Sequence, residues 1–283
     1  MTDGKKIGLV LEGGGMRGLY TAGVMDVMMD HGFMPDVICG TSAGVTFGVN
    51  LPSGQRGRVL RYNTKFVGRK DYVSFWSLLT TGNVVNTEFA YDKLPRVLDP
   101  FDNDAFKSSG VEFYATATNV ITGKPEYLRL TDPDREMDII RASASLPFLS
   151  KMVHIDGVPY LDGGVSDNIP LDKCISTGCD RIVVVLTRPL SDCHSENLDR
   201  LCKLFYPKRK EFLDTCAHRS ENYDKRIAQI ARLEQEGKIF VIRPSRLEKV
   251  GRLEKDAKRL KALYDLGVED SLSLWNSLED YLR

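Results

Sequence analysis

The chain has 283 residues, 42% of which are hydrophobic, and its 39 acidic and 39 basic side chains balance. This length and composition are enough to bury the core of one large α/β domain or of two small ones. The charge balance gives no indication of a nucleic-acid partner. The sequence has neither the apolar stretch of a signal peptide nor the roughly 20 apolar residues that span a bilayer. We therefore expect a soluble, cytoplasmic protein.

Predicted strands and helices alternate along most of the chain. A strand over 6–12 precedes a helix over 19–29, and a strand over 36–39 precedes a helix that begins at Ala43. Later strands are predicted over 111–119, 126–130, 151–155, 158–162, 181–187 and 238–244, and later helices over 134–145, 170–177, 210–236 and 253–265. Asp156–Gly157 is the predicted turn of a hairpin. This alternation predicts an α/β fold, a three-layer α/β/α sandwich around a mainly parallel sheet.

We expect a single domain over residues 1–283, because no change of composition marks a linker. Its core is expected at about 5–190. The least regular stretch, about 50–107, would form a cap over one end of the sheet. Residues of about 191–283 would add a strand and helices that pack on the core or extend it.

The cysteines indicate reduced thiols, because none of the six falls in a C-x-x-C pair. One short polar segment does collect possible metal ligands, namely Cys193, His194, Cys202, Cys216 and His218. A metal site needs about four ligands at short paired spacings, and these spacings are missing here. We therefore expect no metal.

The first glycine-rich turn, Glu12–Gly18, lies between a predicted strand and a predicted helix. Backbone N–H groups and the positive end of the helix would face one point there, as in an anion site. Gly13, Gly15 and Gly18 also spell the dinucleotide fingerprint, but the second strand lacks the acidic end residue that would hold a ribose. Glycines that only let the helix pack close to the strand are the structural alternative.

The second turn, GTSAG at Gly40–Gly44, has the G-x-S-x-G pattern of a nucleophile elbow between a strand and a helix. Such a turn forces its serine, here Ser42, into a strained conformation that lifts Oγ above the sheet. A nucleophilic serine needs a base. None of the four histidines lies at a recognisable strand-end turn. A triad through His154 stays open as an alternative.

The third turn offers a carboxylate as the base. Asp162 ends a predicted strand and is followed at once by Gly163 and Gly164. A side chain there would stand at the edge of the sheet, where the strand-end residues of α/β proteins act, and the glycines permit close approach. An ordinary Asp-Gly-Gly turn is the alternative. If the strands are neighbours, the three turns supply a nucleophile, an oxyanion cradle and a base.

In this order, the three turns resemble the motifs of the patatin-like phospholipase family. The sequence carries them as GGGMRG, GTSAG and DGG, and the stretches YTAGVMDVM, RASASLPFL and DGGVSDNIPL are similar to those of bacterial members. The resemblance covers about the first 190 residues. It implies a serine lipid acyl hydrolase that cleaves carboxylic ester bonds of phospholipids or related acylglycerols, with no metal or cofactor.

The resemblance also implies a role for each motif residue. Ser42 is the nucleophile and Asp162 its base, in a two-residue dyad. The oxyanion hole consists of the backbone N–H groups of Gly13, Gly14, Gly15 and Met16. The supporting motif positions are Arg17, Gly18, Gly40, Gly44, Gly163, Gly164 and Asn168. Arg17 orients the loop or meets a phosphate, with a structural ion pair as the alternative, and Asn168 fixes the turn behind Asp162.

Two segments are candidate lipid contacts. Residues 71–85 carry few charges and suit an acyl groove or a bilayer surface, with the core of a helical cap as the alternative. Their large apolar side chains are Phe75, Trp76, Leu78 and Leu79. Residues 203–210 mix aromatic and basic side chains, which suits anionic headgroups or a solvated face. Transient peripheral contact with the inner face of a membrane therefore stays open.

Two other functions stay open. A nucleotide-binding regulatory module would use the first turn to hold a phosphate and would leave Ser42 inert. A catalytically silent interaction protein would keep the fold and would not react with a fluorophosphonate probe. The sequence indicates neither the oligomeric state nor the preferred headgroup.

Overall fold

The fold comes from a computed structural model that describes residues 4–192 and 199–283. These residues form one eight-stranded sheet. Its strands are β1 (Ile7–Leu11), β2 (Val37–Thr41), β3 (Glu112–Asn119), β4 (Pro125–Leu130), β5 (Val153–Ile155), β6 (Val158–Asp162), β7 (Arg181–Val185) and β8 (Phe240–Ile242). β3, β2, β1, β7 and β8 are parallel in that order, whereas β4, β5 and β6 are antiparallel additions. The predicted, mainly parallel sheet is confirmed.

Ten α-helices accompany this sheet within the described residues. They are α1 (Leu19–Asp30), α2 (Ala43–Thr46), α3 (Arg58–Phe66), α4 (Phe75–Thr81), α5 (Asn103–Ser108), α6 (Met137–Ser143), α7 (Leu171–Ser176), α8 (Asp199–Phe205), α9 (Lys210–Gln235) and α10 (Ala257–Leu282). In this part of the chain, none of them is both long and apolar enough to cross a membrane.

Alternate strand positions build cores on the two faces of the sheet. Leu9 and Leu11 of β1 belong to an apolar cluster that includes side chains of α1 and α10. Val10, between them, belongs to a second cluster with side chains of α7 and α9. A strand that is covered on both faces reads as a continuous apolar run, which is the pattern of β1 and β7. Helices therefore cover both faces, and the predicted three-layer fold is confirmed.

The last helix is the clearest error of the sequence prediction. The sequence predicts a helix over 253–265, whereas α10 begins at Ala257 and continues to Leu282. Gly267 does not end the helix, because it lies where α10 crosses α1. A Cβ at Gly267 would lie 2.2 Å from the carbonyl oxygen of Tyr20, and one at Gly23 would lie equally close to that of Tyr264. The glycines permit close helix packing. Of the 26 residues of α10, 10 are buried, and the others are partly or fully exposed.

Other elements also differ from the prediction. The stretch 50–107 is more regular than expected, because it contains α3, α4, α5 and a π-helical segment at Phe89–Leu98. The sequence predicts no helix where α8 lies. The hairpin between β5 and β6 is confirmed, since Asp156 and Gly157 both have the positive φ values that such a two-residue turn requires.

Candidate active site

β2 and β6 end at the same point of the sheet. β4 occupies one edge of β3, so β2 and β6 share the other edge. Thr41 at the end of β2 lies opposite Thr116, and Asp162 at the end of β6 lies opposite Ala117, the next residue of β3. The two strands run toward each other along this edge of β3 and meet end to end. Ser42 and Asp162 are therefore neighbours, although they are 120 positions apart in the sequence.

Ser42 occupies a strained turn between β2 and α2. Its φ of 55° and ψ of −115° lie in a region that non-glycine residues rarely adopt. The flanking glycines permit the sharp turn: a Cβ at Gly40 would lie 2.7 Å from the Gly44 carbonyl oxygen, and one at Gly44 would lie 2.4 Å from that of Leu11. The N–H of Ser42 donates to Ser143 Oγ at 2.9 Å. This is the geometry of the predicted nucleophile elbow.

Asp162 accepts a hydrogen bond from the predicted nucleophile. Ser42 Oγ donates to Asp162 Oδ2 at 2.7 Å, and the N–H of Gly164 donates to Oδ1 at 2.7 Å. The N–H of Asp162 is bonded to the Ser145 carbonyl oxygen, and Thr118 Oγ1 donates to the Asp162 carbonyl oxygen. Both side-chain oxygens and the backbone of this carboxylate are thus held in place.

The surroundings of Asp162 act on its proton affinity in two directions. The side chain is buried, and burial raises the pKa of Asp162 above its usual range. Hydrogen bonds from Ser42 and Gly164 and the positive charges of Arg252 and Arg219 counteract the rise in pKa. A carboxylate in this setting is a stronger base than a free aspartate, and the two arginines favour its ionised form.

Two of the four predicted oxyanion-hole amides are already bonded. The N–H of Gly13 donates to the Asn168 carbonyl oxygen at 3.1 Å, and the N–H of Met16 donates to the Arg252 carbonyl oxygen at 3.0 Å. Gly15 has a φ of 59°, and a Cβ there would lie 2.6 Å from the same Arg252 oxygen. The glycine-rich turn is therefore held from two sides, by the segment after β6 and by the loop before α10.

Two other amides of this turn remain available to a ligand. Within the described part of the chain, the N–H groups of Gly14 and Gly15 donate to no acceptor. Ala43 follows Ser42 at the first position of α2, where a backbone N–H has no intrahelical partner. Gly14, Gly15, Ser42 and Asp162 line one small cavity of about 30 Å³. The other motif glycines, Gly18 and Gly163, pack against Phe47 and the Thr116 backbone.

A buried carboxylate that the sequence analysis did not identify as a site residue ties these turns together. Glu12 accepts from Thr187 N–H at 2.6 Å, Tyr223 Oη at 2.7 Å and Asn168 Nδ2 at 3.1 Å. Asn168 Nδ2 also donates to the Gly13 carbonyl oxygen. Asn168 therefore does more than fix the turn behind Asp162. The only sequence signal for Glu12 is an acidic residue directly after an apolar strand.

Arg219 is a second residue that the sequence analysis missed. It lies on α9, is buried, and donates from Nε to the Gly164 carbonyl oxygen at 2.7 Å. This bond holds the turn that follows Asp162. Because α9 carries no recognisable motif, nothing in the sequence connects its arginines with the site.

Arg17 has no ion pair with any described residue, so the structural ion pair considered for it is not found. Its Nε is buried without a hydrogen-bond partner among the described residues. Burial and the neighbouring charges of Arg188 and Arg252 lower the pKa of Arg17 to about 10. Arg17 lines a separate cavity with Arg188 and Thr187, and it lines neither of the two cavities that contain Ser42.

A larger cavity of about 150 Å³ begins at Ser42. It continues beneath the 50–107 stretch and α6, and its lining is mostly apolar. Representative lining residues are Met16, Phe47, Tyr62, Val73, Val85, Tyr91, Leu94, Ile140, Leu146 and Leu253. Chemically, the cavity suits a hydrocarbon chain attached to a group that reaches Ser42 Oγ.

The remaining candidates do not join this site. His154 is exposed in β5 opposite Pro159, and its ring makes no hydrogen bond with a described residue. Among the described residues, no group of three or more His, Cys, Asp or Glu side chains is arranged to hold a metal ion. Of the cysteine and histidine cluster, Cys193 and His194 lie outside the described residues, and Cys202 is buried.

A strained serine, an aspartate and free backbone amides at the strand ends of an α/β sheet define a nucleophile-elbow protein. A model of the family described as patatin-like phospholipase matches residues 9–175, more than half of the chain. The chain therefore belongs to the patatin-like phospholipase family. A second model, for a domain of unknown function (DUF6363), matches residues 209–283.

The chain is also similar to individual bacterial and fungal proteins. The uncharacterized protein YjjU of Escherichia coli is 34% identical over 198 residues, which cover 65% of this chain and 52% of that protein. Lysophospholipase nte1 of Aspergillus fumigatus is 30% identical over 67% of this chain and 12% of its own length. Lysophospholipase NTE1 of Saccharomyces cerevisiae is 32% identical over 65% of this chain and 11% of its own length. The chain thus matches about half of the bacterial relative and a small part of the fungal ones.

Proposed function

We propose that the protein hydrolyses carboxylic ester bonds of phospholipids or related acylglycerols, with Ser42 as the nucleophile and Asp162 as its base. The 2.7 Å hydrogen bond from Ser42 Oγ to Asp162 Oδ2, at the opening of an apolar cavity, carries this proposal. Membership of the patatin-like phospholipase family supports a lipid substrate, as do relatives named lysophospholipases.

In the first half of the reaction, Ser42 Oγ attacks the ester carbonyl carbon while Asp162 Oδ2 accepts the hydroxyl proton. Negative charge develops on the former carbonyl oxygen. The N–H groups of Gly14, Gly15 and Ala43 are placed to stabilise it, and removal of one such donor typically raises a barrier by about 3–4 kcal/mol. The bond to the leaving alcohol then breaks, Asp162 returns the proton to that oxygen, and Ser42 carries the acyl group.

Water completes the reaction. Asp162 accepts a proton from the water as its oxygen attacks the acyl carbon, and the same amides hold the second tetrahedral intermediate. The bond to Ser42 Oγ breaks, the proton returns to Ser42, and a fatty acid leaves. Each step uses only groups of this chain, the substrate and water.

The environment of Asp162 suits the role of a base. A free aspartate has a pKa of about 3.9 and is a weak base at neutral pH. Burial raises the pKa of Asp162, which strengthens it as a base, while Arg219 and Arg252 favour the charged form that must be present before each turnover. The Ser42 proton therefore moves to a carboxylate whose pKa is raised by burial and lowered by the two arginines.

Neither alternative function gains support from a specific observation. In a dinucleotide site, the second strand would end in an acidic residue. Here β2 ends in Thr41, whose Oγ1 donates to the Asp167 carbonyl oxygen. Gly14 and Gly15 of the glycine-rich turn line the same small cavity as Ser42, so their N–H groups lie beside the proposed nucleophile.

Product analysis tests the proposal. The protein is incubated with mixed phospholipids and neutral glycerides, and the products are identified by mass spectrometry beside a Ser42→Ala control. We expect free fatty acids and lyso-lipids or glycerol derivatives with the native chain and none with the variant. Equal release by both proteins would overturn the assignment of Ser42.

A further inference from the structure

Helix α4 exposes an unusual amount of apolar surface. Phe75 is 63% exposed, Trp76 61% and Leu79 81%, whereas Leu78 packs on the core. The surrounding stretch, Tyr72–Thr87, contains no charged side chain. Contiguous exposed apolar groups of this kind usually mark an interaction surface.

This helix is directly connected to the substrate cavity. Val73, before α4, and Val85, after it, pair in an isolated β-bridge. Both residues line the cavity that begins at Ser42. The cavity wall and the exposed helix are therefore parts of one local unit. Whatever covers α4 lies beside a wall of this cavity.

A second exposed apolar group lies near the segment that follows the cavity-lining Leu146. Leu204 and Phe205 of α8 are 72% and 56% exposed. The ring of Phe205 lies 5.3 Å from that of Phe148. Phe148 follows Pro147, which lines the small cavity at Ser42, and Leu146, which lines both cavities. Val84 N–H donates to the carbonyl oxygen of the next residue, Leu149. Residues 148 and 149 thus contact both α8 and the residues that follow α4. We call their exposed side chains the mouth face: Phe75, Trp76, Leu79, Leu204 and Phe205.

Several lysines lie around the mouth face. Lys255 Nζ lies 5.9 Å from the ring centre of Phe75, and Lys151 extends past Gly82 at the end of α4. Neither lysine forms an ion pair with a described residue. Beyond α8, Lys208 and Lys210 are exposed. In a symmetric dimer through this face, the lysines would meet their own copies, whereas anionic headgroups would complement them.

We propose that the mouth face docks on the surface of a bilayer that contains anionic phospholipids. Aromatic and leucine side chains enter the boundary between headgroups and acyl chains, and the lysines contact the headgroups. The purpose of this docking rests on the proposed function, because a docked entrance lets an acyl chain pass from the bilayer to Ser42 without crossing water. The docking itself can be measured without turnover.

Tryptophan fluorescence of the full chain provides the test, because Trp76 is exposed and the second tryptophan, Trp275, is buried. The measurement uses Ser42→Ala, so that lipids stay intact, with vesicles of phosphatidylcholine alone or mixed with phosphatidylglycerol. We expect emission to shift to shorter wavelength with the mixed vesicles. Adding Trp76→Phe should abolish the shift, whereas adding Trp275→Phe should preserve it.

Sedimentation with the same vesicles measures affinity. We expect Phe75→Ser with Leu79→Ser to weaken binding on the order of tenfold or more. Lys151→Glu and Lys255→Glu should each weaken binding to mixed vesicles about fivefold or more. Leu272→Ser, at a leucine of α10 that is 54% exposed and lies outside the mouth face, should leave binding unchanged. Thermal unfolding confirms that each variant is folded.

Three results would overturn the docking proposal. The first is no emission shift with mixed vesicles, and the second is unchanged sedimentation of the Phe75 and Leu79 double variant. The third is that the native chain forms a dimer which this double variant disrupts, while vesicle binding does not depend on the face. Each is independent of chemistry at Ser42. Turnover that survives Ser42→Ala would instead overturn the proposed function, and the vesicle measurements would still be decisive for the mouth face.

Discussion

Residues 9–175 and residues 209–283, the two regions matched by family models, meet the same site with different kinds of residues. The first region supplies the groups proposed to react, on sharp turns at strand ends. The second has no such turn, yet Arg219 holds the Gly164 carbonyl, Tyr223 holds Glu12, and the Arg252 carbonyl holds Met16. The difference teaches that motif residues form only the inner part of this site and that α9 and the loop before α10 support it.

The second region is also part of the same framework. β8 continues the sheet beside β7, and α10 packs on α1 at the Gly23 and Gly267 crossing. We therefore propose that the chain acts as one domain. The predictions below test whether the two regions contribute unequally, as reacting and supporting groups should.

The largest effect is expected for Asp162→Asn. Asparagine keeps the shape of the side chain and an acceptor for the Gly164 N–H, but it cannot take the Ser42 proton. Turnover of a soluble short-chain ester should fall at least about a thousandfold. Activity close to that of the native chain would contradict the dyad.

The same substitution should change stability in the opposite sense. Because burial raises the pKa of Asp162, the stability present below its unfolded-state pKa is lost as pH rises through the folded-state pKa. At neutral pH, Asp162→Asn removes a buried charge, so its unfolding temperature should exceed that of the native chain. The difference should shrink in acid, where Asp162 is protonated, and thermal scans at both pH values check this.

A smaller loss is expected for Arg219→Met in the second region. The variant loses the bond to the Gly164 carbonyl and a positive charge near Asp162. Turnover should fall on the order of tenfold to a hundredfold, and the acidic limb of the pH–rate profile should move to higher pH. Arg219→Lys, which keeps the charge, should shift the limb less. Lys225→Met, on an exposed position of α9, is the matched control and should change neither.

Tyr223→Phe should have a milder effect, because it removes one hydrogen bond to Glu12 and leaves three others, from the Thr187 N–H, Thr187 Oγ1 and Asn168 Nδ2. We expect several-fold slower turnover and a loss of about 1–3 kcal/mol in the free energy of unfolding. Tyr264→Phe removes a comparable buried bond, to Asp26 of α1, away from the site. It should lower stability with turnover intact. Equal turnover of the two variants would contradict a supporting role for Tyr223.

The smallest effect is expected at Asp167, behind the third turn. Burial raises the pKa of Asp167 to about 6, partly offset by Arg226 and a hydrogen bond from Tyr127. Its contribution to stability is therefore lost as pH rises from about 4 to about 6. Asp167→Asn should remove this part of the pH dependence, measured as a smaller difference in unfolding temperature between pH 5 and pH 8. An unchanged difference would contradict the shift.

The central part of the fold could be predicted because its signals are local. Apolar runs such as RIVVVLT predict buried strands, and the three turns carry their own steric requirements, as Ser42 with its flanking glycines illustrates. The sequence places Ser42 and Asp162 close together only if the strands that precede them lie near each other in the sheet. It follows from β6 pairing antiparallel with β3, which local patterns do not reveal.

The supporting residues could not be predicted, because their roles depend on contacts between distant parts of the chain. Glu12 and Tyr223 are 211 positions apart, and Arg219 and Gly164 are 55 apart. The sequence predicts that the last helix ends at 265, and only the crossing with α1 explains why Gly267 lies inside α10. Sequence patterns likewise leave open whether Trp76 is core or surface.

Covalent labelling of Ser42 tests the dyad most directly. The native chain and Asp162→Asn are treated with a fluorophosphonate probe, and the modified residue and its rate of modification are determined by mass spectrometry. A serine hydroxyl that already donates to an aspartate at 2.7 Å should be labelled at Ser42 alone, and far more slowly in the variant. Labelling at another residue, or equally fast labelling of both proteins, would contradict a nucleophile that depends on its neighbouring carboxylate.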